Sequence, residues 1–247
     1  MTNKIYIESP QREGQYRRLA RLGQKLGIPV PEAFLEMEVK MPDGRTAHHH
    51  KQRSHSWTRN GHNLFFCGIA GINATSALFQ AGVLSFKNTV NANYGGTVSL
   101  SNTVGGYNWL RTLGQDAPCG YFAGAGVLTC GIVVGSGVSD ENFENYVMQA
   151  PILHGTGAGQ LSYAASEIPV LSWDAGTKTL SVSHVRYLNN NSAGDITINE
   201  VGLYGYIGYG QSMAHTTMVS RDKLGSAVVV GSTGQLKVTY TISIVYP

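Results

Sequence analysis

Apolar spacing divides the chain into three zones. In REGQYRRLARLGQKLGIPVP, residues 12–31, Tyr16, Leu19, Leu22 and Leu26 recur every three or four positions and share one helix face. Arg17, Arg18, Arg21 and Lys25 decorate the rest of that helix, and Gly27 and Pro29 end it. Leu35, Met37 and Val39 then alternate with Glu36, Glu38 and Lys40, the period of a strand, before the turn residues Pro42, Asp43 and Gly44. The pattern predicts a hairpin, with the histidines of AHHHKQRSHSWTRNGH (47–62) on its return strand or just after it.

The middle zone is less regular. Leu64, Phe65, Ile69 and Ile72 in NGHNLFFCGIAGIN predict a short helix, and AGVLSFKNT and TVSLSNTV two short strands. GGYNWLRTLGQDAPCGYFAGAG reads as a glycine-rich loop. From about residue 126 onward the chain is a string of strands: VLTCGIVVG, GQLSYAASEIPVLSW, KTLSVSHVRYL, DITINEVGLYGYI, SAVVVG and GQLKVTYTISIVYP. In the last, Leu236, Val238, Tyr240, Ile242, Ile244 and Tyr246 face one way and Lys237, Thr239, Thr241 and Ser243 the other. Parity changes between Ile196, Ile198 and Val201, Leu203, which predicts a bulge near Asn199-Glu200 or a strand bending between sheets. No helical pattern long enough for a βαβ crossover separates these strands. The expected fold is mainly β, a jelly-roll-like antiparallel β-sandwich (residues 61–247) preceded by a basic arm (1–60) with one amphipathic helix and a hairpin.

Composition supports that class. Among 247 residues, 42% are hydrophobic, only 13% are charged and 31 are glycine, which suits short strands and tight turns and excludes a disordered chain. The net charge of +3 is unevenly spread. Eleven Lys and Arg against six acids up to residue 59 give +5, leaving −2 for the remainder. A basic arm on a sparsely charged body reads as a docking segment, since a nucleic-acid reader would interleave more aromatics than Trp57 alone. Three cysteines without a CxxC pair argue against a disulfide framework. The N-terminus lacks the apolar core of a secretory signal, and no run reaches the ~20 apolar residues of a membrane span. A soluble product of the cytoplasm is therefore expected, without nucleic-acid or membrane partners.

Catalytic motifs are missing from the sequence. No serine has glycine two residues away on both sides, there is no Gly-Lys pair for a phosphate loop, and HExxH is absent. The Gly155, Gly157, Gly159 run is followed by Gln160 and by no helical pattern, so it reads as a turn. Asp140 and Glu141 open a polar segment that caps or solvates a turn. No enzyme and no cofactor are expected. His48 and His50 share one side of an extended segment, and from three chains on an axis they would place six nitrogens around one ion. Against that stands the plainer reading, a solvated basic strand at a subunit contact.

SHSWTRNGHNLFF, carrying Ser54, His55, Ser56, Trp57, Arg59, Asn60 and Asn63, resembles a signature of structural proteins encoded in tailed-bacteriophage genomes. Three further segments resemble the same family in the same order: GIVVGSGVSDENFENYVMQAPILHGTGAGQLSY, DITINEVGLYG and SRDKLGSAVVVGSTGQLKVTYTISIVYP. The resemblance implies a virion component, made in the host bacterial cytoplasm, with a jelly-roll-like C-terminal domain. It implies as partners other virion proteins and other copies of the chain, as a trimer or ring. The N-terminal helix and hairpin have no match in that family. Read from their own residues, Tyr16, Leu19, Leu22 and Leu26 would pack on a partner groove and Arg17, Arg18 and Arg21 would pair with its acidic rim, with Phe34 and Trp57 adding contacts. The alternative is a carbohydrate-binding module using the aromatics of YNWL (Tyr107–Leu110), Trp173 and a GYIGYGQ loop.

Overall fold

The computed structural model describes residues 10–70, 86–94, 121–209 and 213–246. Helix α1 (Pro10–Leu26) leads into the hairpin β1 (Val30–Lys40) and β2 (Thr46–Ser54), followed by α2 (Arg59–Ala70). The short strands β3 (Phe86–Lys87) and β4 (Asn93–Tyr94) pair with each other. Then come β5 (Gly131–Gly135), β6 (Ser162–Ser166), β7 (Val170–Asp174), β8 (Thr179–Asn189), β9 (Ile196–Tyr209), β10 (Met213–Val230) and β11 (Gln235–Val245).

Every strand pairing is antiparallel. One sheet runs β2-β1-β11-β8, where β8 takes β6 along one half and β7 along the other; a second runs β10-β9-β5. Leu35, Met37 and Val39 from β1 and Leu236, Val238 and Tyr240 from β11 are fully buried. They join Ile132, Val134, Ile198, Leu203, Met218 and Val228 of the second sheet in one apolar core. The chain is thus a mainly β, antiparallel sandwich with a helix before it, as the alternation predicts.

The projecting element is shorter than the sequence suggests. β1 pairs with β11 over its full length, from Val30↔Val245 to Lys40↔Gln235, and this places the hairpin inside the main sheet. Among the described residues of the expected arm, α1 stands outside the sheet while β1 and β2 belong to it, so residue 60 marks no break between an arm and a body. The alternation of β1 signals one buried face but cannot say which strand lies beside it.

The bulge expected near Asn199-Glu200 is found at that place in the register, but its extra residues belong to the partner strand. The irregularity lies on β10: Lys223 pairs with Glu200 and Val228 with Ile198, so Leu224 to Ala227 loop out opposite Asn199. β9 runs on and buries Glu200 beside Val201. Glu200 accepts hydrogen bonds from the Gly137, Gln149 and Ala150 amides and from Arg221 Nε at 2.7 Å. Arg221, equally buried, donates its other N–H groups to Ser139, Asp140 and Asn145. The pair pins the 137–150 connection to the second sheet. GYIGYGQ, expected as a loop, continues β9 as far as Tyr209. The expected strand TVSLSNTV and the YNWL aromatics lie outside the described residues.

Candidate docking site

α1 is built to stop and turn back. Pro10 occupies its first position, where a missing N–H costs nothing, and Glu13 and Lys25 sit at the ends that favour their charges. Its end is a Schellman motif: Ile28 N–H donates to Gly23 O at 2.8 Å and Gly27 N–H to Gln24 O at 3.4 Å, with Gly27 at φ 70°. Gly23 is needed as well. A Cβ there would meet Val30 Cγ2 at 2.5 Å, so the absent side chain lets the first residue of β1 fold under the helix.

A clamp then fixes the helix to the outer side of the hairpin. Arg53 of β2 donates from Nε to Glu13 at 2.7 Å and from Nη1 to Glu32 at 2.9 Å. Its guanidinium carbon lies 5.1 Å from the Tyr16 ring centre and 4.7 Å from that of Phe34. The planar cation thus lies against both rings while Glu13 and Glu32 bind its N–H groups. The hydrogen bond from Arg53 leads in holding Glu13 below the ordinary glutamate value, and Glu13 in turn raises Arg53. Arg17 adds a second donor to Glu13 at 3.0 Å.

Held this way, α1 turns its apolar stripe to solvent. Leu19 is 52% exposed, Leu22 48% and Leu26 60%, and Ile28 beyond the cap is 56% exposed. Arg18 and Arg21 are exposed beside them. The structure therefore splits the residues singled out from the sequence. Leu19, Leu22, Leu26, Arg18 and Arg21 form one outward surface, with Arg17 at its margin. Tyr16 and Phe34 hold the helix from beneath.

Trp57 belongs elsewhere. It forms a bridge with Ser220 on β10 and is half-buried beside α2. Around it, the polar residues of the Ser-His-Ser-aromatic stretch are fasteners. Ser54 Oγ hydrogen-bonds Asp222 and Tyr240, and Thr58 Oγ1 donates to Met218 O. Thr58 also caps α2, and Asn60 bridges Met218 O and the Lys87 backbone. Gly61 allows the closest approach: a Cβ there would lie 2.6 Å from Val219 O.

The histidines diverge. His49 and Lys51 bind Glu36 on the outer face, at 2.7 and 3.1 Å. His48 and His50 stack on the inner face with ring centres 6.5 Å apart, and His50 is buried against Gln52 at 2.8 Å. Burial lowers the pKa of both. To reach a shared axis, His50 would have to leave the interior. Among the described residues, no group of three His, Cys, Asp or Glu is placed to hold a metal ion.

Sequence reasoning missed Glu13, Glu32 and Arg53 as the clamp. The mixed charges of the N-terminal segment carried the only signal for it, because the partners lie 40 and 21 residues apart. It also missed Ile28 as part of the exposed apolar surface. No family model, curated protein or solved structure matches the chain.

Proposed function

We propose that this chain is a non-enzymatic structural component of a tailed-phage virion, an accessory head, neck or tail protein that assembles through subunit contacts. One observation carries the reading: a basic amphipathic helix is locked onto a rigid sandwich with Leu19, Leu22 and Leu26 facing solvent. A helix kept only to complete its own fold would turn those leucines inward. The four-part sequence resemblance supplies the virion setting. Many copies in an assembly multiply a modest contact per copy.

The test compares incorporation of the full chain into particles with that of a chain lacking residues 1–26, which leaves β1 and its pairing with β11 intact. Absence of the full chain from imaged particles would defeat the proposal, as would undiminished incorporation of the shortened one.

A second reading, a carbohydrate-binding module, is favoured by Trp173, 55% exposed and edge-on to Tyr246 with ring centres 5.8 Å apart. Binding to a glycan array that is lost in Trp173→Ala would support it, and silence across diverse surface polysaccharides would remove it.

A further inference from the structure

The main sheet outruns its core at one end. Cross-strand register aligns Ile242 with Val182 and Leu171, and Ile244 with Leu180 and Trp173. These positions keep the parity of Leu236, Val238 and Tyr240, so they continue the core-facing side. Burial fades along them. Ile242 still touches the margin of the core, Val182, Leu180 and Ile244 are half-buried, and Leu171 is 70% exposed. The reverse side of the same strands carries Ser172, Ser181, Ser183, Thr241 and Ser243, with Val170 and Val245 as its apolar members and Ser183 and Thr241 hydrogen-bonded at 2.9 Å. An apolar face backed by a polar one is the pattern of a sheet that expects cover.

The exposed stripe of α1 has the matching shape and charge, yet it cannot supply that cover within one chain. Glu32 and Phe34 alternate with buried Ala33 and Leu35, so the Arg53 clamp holds α1 on the outer side of the sheet. The apolar overhang is on the other side. Gly27 to Pro29 link helix and strand, and three residues reach only about 10 Å.

We propose that the α1 stripe of one copy docks on the overhang of a second copy. From Leu19 to Leu26 the stripe spans about 11 Å, and the four strands β1, β11, β8 and β7 span about 14 Å between outer axes. Charge agrees in sign at one position: Arg17, Arg18, Arg21 and Lys25 surround the stripe, and exposed Glu167 lies just before β7. Asp174, at the end of β7, shares the parity of Ser172 and accepts from the amides of its own turn, beside Lys178. The overhang offers roughly 300 Å² by strand spacing and rise. Alone that is small, but in a closed assembly each chain engages twice, once through its helix and once through its sheet. In a reciprocal pair the two contacts together bury about 1,200 Å², the lower edge of specific interfaces, whereas in a ring each interface buries about 600 Å². Helix on sheet is a contact of unlike surfaces, and only a reciprocal pair brings two such contacts into one interface.

This inference deepens the reading of the chain as an assembling part and rests on it. Its test is sedimentation of the full chain from about 1 to 100 µM, where mass action draws copies together. Leu22→Asp disables the stripe and Leu171→Asp the overhang; both positions are exposed, and circular dichroism checks that each variant stays folded. The wild type should sediment above monomer mass, and each variant should associate at least about tenfold more weakly. An equimolar mixture of the two variants should associate more than either variant alone and less than the wild type, since one of the two contacts remains. A wild type that stays monomeric overturns the proposal, as do variants that associate like the wild type. A mixture that associates no better than either variant alone at about 100 µM also overturns it, because an intact helix and an intact overhang would then not recognise each other. Particle incorporation by a monomeric chain would sink this contact and leave the virion reading standing.

Discussion

Arg53 on β2 binds Glu13 on α1 through two nitrogens, at 2.7 and 3.2 Å, across forty residues of sequence. Both side chains are largely shielded, at 18% and 20% exposure. A two-pronged pair of this kind is worth about 1–2 kcal/mol. Arg53→Ala should therefore release α1 while the sandwich stays folded. Hydrogen exchange would show amides 14–26 losing protection while those of β11 keep theirs. Acid should do the same. Glu13 is held below 4.5, so its contribution is complete above that pH and fades as pH falls through the lowered value. Retained helix protection in Arg53→Ala would show that the clamp does not position α1.

The other end of the helix depends on two glycines for different reasons. Gly27 has φ 70°, a conformation that costs any other residue about 1 kcal/mol. Gly27→Ala should fray the last turn and leave the core intact. Gly23→Val collides with Val30 and should displace the whole helix. Limited proteolysis distinguishes them: cleavage confined near residues 24–28 in the first variant, and spread along α1 in the second.

How much of this was readable in the sequence depends on the range of the interaction. The α1 stripe and the β1 alternation appear because helix and strand periods are local. The hairpin's place in the main sheet does not, since alternation marks a buried face without naming its neighbour. Tyr16 shares the helical spacing of Leu19, Leu22 and Leu26, yet it turns under Arg53 while they face solvent. Spacing alone could not separate anchor from surface. The overhang is legible only from register: Leu171 and Trp173 look like any strand residues until they align with Val182 and Leu180 past the end of the core.

Glu200 and Arg221 form a buried ion pair, with side chains 0% and 1% exposed, whose loss should be costly. Arg221→Met would strand the carboxylate on three backbone amides and should cost about 3–5 kcal/mol in urea unfolding. The double variant Arg221→Met with Glu200→Gln should cost less than the sum of the singles, because neither change then leaves a lone buried charge. Additive losses would show that the two groups act independently on the 137–150 connection.

Asp222 sets a pH dependence opposite to that of the histidines. Its carboxyl is fully buried between Ser54 and Ser220, near Tyr240, with Glu141 and His55 as the charged neighbours. Burial leads in raising its pKa from 3.8 to about 6. Between those values the unfolded chain has lost the proton and the native one keeps it, so Asp222 makes the fold less stable as pH rises through that window. Above about 6 the loss is complete. His48, His50 and His184 run the other way: burial leads in lowering each, so the native state resists a proton that the unfolded chain accepts below 6.5. Their contribution is complete above 6.5 and falls on acidification. Asp222→Asn keeps an oxygen for the two serines and removes the titration. The variant should therefore gain on the wild type at pH 7.5, and the gap should close as pH approaches 4. Over the same range it should lose stability on acidification more steeply than the wild type, since the histidines then act unopposed. Urea unfolding at pH 4, 5, 6 and 7.5 reads the gap directly, and one that does not change with pH would mean Asp222 is ionised in the native core throughout.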